Sequence, residues 1–513
     1  MTHSAATVTF FRKLVSIFAK LVAGGALACA TTGFAAARDG ARQLLHLSLS
    51  AQGGEASLRS IRAVEVRSRG YRNMLEQSER PEGPPIPEFQ SVRETRDHAG
   101  GRYRVQVDAG FGSQTYSLGS VADRTSAVRF ANTRTGPGTA ELRAGGREAL
   151  ALSPEHILLT ALDSPDVRLA PPVTLQGVAQ DVVEFAVDGS PVRLYLNRFT
   201  HLPTAFDYSG ALARSNYWRF LGDISMRAYF SSWWLGDGGV RWPMQTDIYR
   251  NGLHDSTLTA DAVSINPALN EAELKISPEL RSAFVAGAAP EPPLGAAVDV
   301  APGMTLIRGP WNVVIVRQND GIVILEAPIS SAYSELVIAE ALRRYPDQPI
   351  KALVTTSDAW PHIAGLRAYV ARGIPIYCLD LNVPILSRLV QARFKSRPDA
   401  LERQPRSPLF RPITSTTQLG KGAQRIDLYP LRGESSERQV MAYVAGQRLL
   451  YGSDVFQQGP DGAFLNAEGV AEVIEAVDRE GLKPAQLVMM HLGPIPWNAV
   501  KRITDPFPNL TEK

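Results

Sequence analysis

Cysteine, net charge and long apolar runs are all scarce in this chain, and each scarcity excludes something. Two cysteines in 513 residues, Cys29 and Cys378, exclude a disulfide-built scaffold and leave stability to hydrophobic cores. A formal net charge of +3 is small for this length, so the overall balance gives no argument for a nucleic-acid partner. The apolar stretch near the start, LVAGGALACATTGFA, is too short and too rich in small residues to span a bilayer well. What is present is ordinary: 44% hydrophobic and 20% charged residues, enough for two or three globular domains with real cores.

That apolar stretch has another meaning. Arg12, Lys13 and Lys20 precede it, and Ala35-Ala36-Ala37 close it before the polar Arg38-Asp39-Gly40. Basic, apolar and small residues in this order read as a secretory signal over residues 1–37, cut near Ala37, which places the protein in the periplasm. A lipid anchor on Cys29 is disfavoured because Leu27 stands one place too close to the cysteine; a retained membrane anchor is the other alternative. The exported chain keeps only Cys378 and has no internal disulfide.

Residues 38–284 read as a mostly antiparallel β domain with a few helices. An opening helix over ARQLLHLSLSAQGG precedes alternating runs such as AVEVRSRGY, RYRVQVDA, DVVEFAVDG and PVRLYLNR, punctuated by Gly, Asp, Asn and Pro. PEGPPIPEF, from Pro81 to Phe89, reads as an exposed loop, and ALSPEHILLTALDSP as a helix opened by Ser153-Pro154. His46, His98, His156, His201 and His254 show no ligand spacing. The strand, turn, strand rhythm of LYLNRFTHLPTAFDY and AYFSSWWLGDGGVRWPMQTDIYRNG resembles the curved sheet of periplasmic lipoprotein carriers and receptors. That resemblance implies a concave face for acyl chains, with Trp218, Trp233, Trp234 and Trp242 either lining it or filling the core.

VAGAAPEPPLGAA, from Val285 to Ala297, has neither helical nor strand period and reads as a linker over residues 285–300. The second domain, 301–513, alternates strands and helices. NVVIVRQNDGIVILEAP is a hairpin turned at Asn319-Asp320-Gly321, and SSAYSELVIAEALRRYP a helix capped by Ser330 or Ser331. In LVTTSDAWPHIAG a buried strand runs into a loop. A helix follows over HIAGLRAYVARG, with Ile363, Leu366, Tyr369 and Val370 at helical spacing and Gly373 closing it. The carboxyl end of such a strand is where α/β domains present chemistry, and His362 stands there.

From Met304 onward these residues resemble the metallo-β-lactamase fold superfamily, which implies an αββα sandwich. Glu326-Ala327-Pro328 stands where the family has Asp-x-Gly. The metal loop T-H-x-H-x-D-H-x-x-G falls on Thr356 to Gly365, with only its last histidine, His362, kept. Gly433-Glu434-Ser435 replaces Gly-His-Thr, Asp454 closes RLLYGSD at the Gly-Asp position, and His491 in QLVMMHLGP matches the family's last histidine.

The resemblance implies a first metal site dismantled at Ser357 and Ala359, and a second that loses a carboxylate at Pro361 but keeps His362, Asp454 and His491. Three such ligands suit one divalent transition metal, zinc first, with iron or manganese as other fits, or none if the site is inert. Glu434 and Asp358 are candidate general bases or extra ligands, each also readable as a solvated or turn-stabilising acid. Two functions follow as expectations. One is an exported hydrolase acting on an ester, thioester or amide in a small or lipid-like substrate; the other is an inactive binding or scaffold protein of the cell envelope. From Arg388 to Arg425 the basic residues Arg393, Lys395, Arg397, Arg403, Arg406, Arg411, Lys421 and Arg425 outnumber acids, a segment that could steer an anionic substrate, rest on an anionic membrane or be a solvated insert.

Overall fold

The computed structural model describes residues 37–504 except 76–84, 112–113, 215–221, 288–290, 459–463 and 465. The signal-like start and Trp218 lie outside the described residues. The chain divides into two compact units. The first is drawn from Met1–Arg72, Glu88–Ser215 and Ser225–Ala289, the second from Asn73–Pro87, Asn216–Ile224 and Pro290–Lys513. No helix among the described residues is long and apolar enough to cross a membrane.

The first unit opens with a helix over residues 37–52 and is built on a thirteen-stranded sheet. Strands from Ala63–Met74 to Arg134–Pro137 lie in sequence order on one side. Those from Arg168–Leu175 to Leu253–Ile265 fill the other, and the first strand pairs antiparallel with the last. Three local expectations change. The stretch read as a loop after Pro81 enters a strand at Ile86. The helix expected from Ser153-Pro154 starts instead at Ile157, because the amides of His156 and Ile157 both turn back to the Ser153 carbonyl. The tryptophans do not share one setting: Trp242 is buried, Trp233 half-buried and Trp234 61% exposed.

The second unit carries two mixed sheets. The first, seven-stranded, runs in spatial order β1 (Ala297–Ala301), β2 (Met304–Ile307), β3 (Val313–Gln318), β4 (Gly321–Leu325), β5 (Ile350–Val354), β6 (Ile376–Leu379) and β7 (Phe410–Ile413), antiparallel up to β4 and parallel from there. The second comprises β8 (Thr417–Leu419), β9 (Ile426–Pro430), β10 (Val440–Val444), β11 (Leu449–Tyr451), β12 (Gln486–Val488) and β13 (Ile495–Pro496), with β11 and β12 parallel. Alternation along the strands explains the layers. Val323 and Leu325 of β4 join Val440, Ala442 and Val444 of β10 in one core. Met441 and Tyr443, the intervening residues of β10, pack with Val470 and Val473 of a helix over Ala467–Arg479 in another. The β3–β4 hairpin turns at Asn319-Asp320 as its sequence demands, and Ser330 caps α1 (Ser331–Arg344) by accepting from the Tyr333 amide.

Candidate metal centre

β4 and β5 run parallel, as do β11 and β12, so the carboxyl ends of each pair lie together, and the chemistry-bearing residues follow those ends, as expected for α/β sheets. Glu326 follows β4, the loop Thr355–Ala359 follows β5, Ser453 and Asp454 follow β11, and His491 follows β12. His362 lies in α2 (Trp360–Ile363), whose start carries Pro361. The single helix expected from His362 to Gly373 is broken into α2 and α3 (Leu366–Ala371). Gly365 causes the break: its amide donates to the Ala327 carbonyl at 2.7 Å instead of continuing the helix ladder. A Cβ there would meet Ser334 Oγ at 2.0 Å and the Ser330 carbonyl at 2.7 Å. With the Ile329 amide on the Pro361 carbonyl at 2.9 Å, this seats α2 against the segment after β4. Glu326 (φ 79°), Ile329 (φ 71°) and Ser453 (φ 57°) adopt the left-handed region that side chains avoid; such strain gathers at functional sites.

Asp454 joins the two histidines. Its Oδ1 is 2.8 Å from His491 Nε2 and its Oδ2 is 3.2 Å from His362 Nδ1; the rings of the two histidines stand 5.3 Å apart. Their ligating atoms all lie within 4.8 Å of one another, close to the span that one ion with bonds of about 2.0–2.2 Å draws together. His362 is 1% exposed. Burial, opposed by Asp454 and reinforced by His491, lowers its pKa to about 4, so the ring is neutral at neutral pH. Nδ1 faces the carboxylate, and the buried Nε2 has no hydrogen-bond partner among the described residues. One nitrogen from each imidazole and one carboxylate oxygen, all within 4.8 Å of one another, are a donor set that fits a transition-metal ion. Ser357 Oγ also lies 3.5 Å from His362 Nδ1. Serine and aspartate thus approach the same nitrogen, and a proton relay needs them on opposite ones.

Of the residues singled out in the sequence, His362, Asp454 and His491 come together and two do not. Glu434 is exposed on a turn, its neighbours Ser435 and Ser436 bound to Glu472, and Arg432 pairs with Asp380 at 3.0 Å. Asp358 is buried in the loop but outside the three-residue group. A supporting layer escaped the sequence. The buried Glu326 accepts the hydroxyl and amide of Thr356, Thr356 Oγ1 lies 2.8 Å from Ser453 Oγ, and Ser453 Oγ donates to the Thr356 carbonyl at 2.9 Å. Gln457 Nε2 donates to Asp454 Oδ1 at 3.0 Å. The Trp311 ring stands 6.1 Å from that of His362 and 6.4 Å from that of His491. Only an acid following an apolar strand, Glu326, left a readable signal.

No protein-family model matches the chain, and no curated protein matches it. Among solved structures, a metallo-β-lactamase from Pontibacter korlensis matches 42% of this chain and 100% of its own at 14% identity, TM-score 0.34. The metallo-β-lactamase FIM-1 from Pseudomonas aeruginosa, in a mono-zinc form, matches 42% and 94% at 12% identity, TM-score 0.32. The sec-alkylsulfatase Pisa1 from Pseudomonas sp. matches 41% and 40% at 13% identity, TM-score 0.31. These neighbours include metallo-β-lactamase fold proteins over about 42% of the chain; at such scores the likeness carries nothing about the reaction.

Proposed function

We propose that the second unit is an αββα sandwich of metallo-β-lactamase type holding one divalent transition metal, zinc first, on His362, Asp454 and His491, and that it hydrolyses an ester, thioester or amide. The convergence of His362, Asp454 and His491, each offering one ligand atom within 4.8 Å of the others, carries this reading. An ion held by these three residues would supply Lewis acidity and lower the pKa of a water at the site. The residues do the rest. Asp454 fixes the orientation of both imidazoles, burial keeps His362 in its neutral form, and the Trp311 indole stands beside both rings.

One observation favours a second reading, an inert scaffold: Asp454 is already engaged by both histidines and by Gln457. Activity decides between them. The hydrolase reading expects turnover of some member of an ester, thioester and amide panel that is lost on chelation and restored by zinc. No turnover in any class with metal bound leaves the scaffold. Export belongs to the same proposal, and mass spectrometry of the native protein should find its first residue near Arg38; an intact Met1 contradicts it.

A further inference from the structure

We propose that Asn312 is the positioning residue for His491. His491 sits in a tight turn closed by the Met489 amide on the Leu492 carbonyl at 2.9 Å. Carbonyls on both sides of it are gathered by that one asparagine. Asn312 Nδ2 donates to the Met489 carbonyl at 2.9 Å and to the Leu492 carbonyl at 3.4 Å, while its backbone amide donates to the Met490 carbonyl at 2.6 Å. Its Oδ1 accepts the Gly309 amide at 3.3 Å, closing the loop that presents Trp311. Asn312 is 5% exposed, so water does not readily take over these donors. One side chain from the β2–β3 connection therefore sets both the turn of one histidine and the indole beside it. His362 depends on other bonds, from Ile329 to Pro361 and from Gly365 to Ala327, so loss of Asn312 should act on His491 selectively.

Asn312→Asp tests this in the full chain, because it keeps the shape and the Oδ1 acceptor but turns an oxygen toward the Met489 and Leu492 carbonyls. The readout needs no metal: diethyl pyrocarbonate modification in EDTA, read at each histidine by peptide mass. His491 should react about tenfold faster than in the parent, the effect of losing the Nδ2 donor that holds its turn, and His362 at the parental rate. Val473→Ala, on the buried face of the Ala467–Arg479 helix, should lower the melting temperature and leave His491 at its parental rate. Should Asn312→Asp not fold, Asn312→Ala carries the same comparison. An unchanged His491 rate overturns the proposal, and so does a rise at His362 of the same size, which is general loosening. A second arm rests on the metal reading above: Asn312→Asp should hold zinc about tenfold more weakly. A parent that binds no zinc refutes that reading, while the modification rates still decide the role of Asn312.

Discussion

Glu326 follows an all-apolar strand, GIVIL, and is fully buried. Burial raises its pKa to about 8, against the pull of two hydrogen bonds from Thr356 and with a smaller push from Asp454. The carboxyl group is therefore mostly protonated at neutral pH, and the consequence for stability has a definite sign. Between the ordinary carboxylate value of 4.5 and about 8, the folded chain holds a proton that the unfolded chain has released, so stability is full below that window and falls as pH rises through it. Glu326→Gln removes the titration. Urea unfolding in EDTA should show the parent losing, relative to this variant, on the order of 4 kcal/mol between the two ends of the window. Parallel curves for the two proteins would mean that Glu326 is ionised in the fold. His362 behaves oppositely: its lowered pKa of about 4 means that metal-free stability falls as pH drops below about 6.5, when the unfolded chain protonates first.

Elements set by local chemistry were legible in the sequence, and elements set by packing were not. The Asn319-Asp320-Gly321 turn and the Ser330 cap each answer to a local rule, and the structure has both. The apolar spacing of Ile363, Leu366, Tyr369 and Val370 reads as one helix, yet Gly365 divides it because Ser330 and Ser334 press on it from α1, a contact no helical period announces. Likewise His98 and His156, without ligand spacing in the sequence, stack 4.6 Å apart, with His98 on the buried Glu155. At the site, three ligand candidates were readable because each falls on a motif position of the resemblance; Asn312 and Ser453 were not, since polar residues in loops carry no periodic signal. Gly365→Ala tests the packing account. A methyl group there has no room against the Ser330 carbonyl, so the variant should lose about 2–3 kcal/mol in urea unfolding. Parental stability would show that α2 and α1 separate freely.

For the molecule as a whole, a thirteen-stranded antiparallel sheet with helices makes one unit and a pair of mixed sheets sharing a core makes the other. The second unit's two sheets contribute unequally to the site. The seven-stranded one brings His362, Glu326 and the loop of Trp311 and Asn312, and the six-stranded one brings Asp454 and His491, so the three donors meet only when both sheets are in place. Metal binding should therefore report the integrity of the whole unit. The decisive measurement is the metal content of the purified full chain after dialysis against trace zinc, manganese and iron, beside His362→Ala, His491→Ala, Asp454→Asn and Ser357→Ala. The account predicts one ion per parent chain and an unchanged Ser357→Ala. Either histidine variant should lose more than the roughly 10–100-fold in affinity that removal of a supporting partner costs, and Asp454→Asn should bind more weakly. Two ions per chain, or none under any condition, would contradict it.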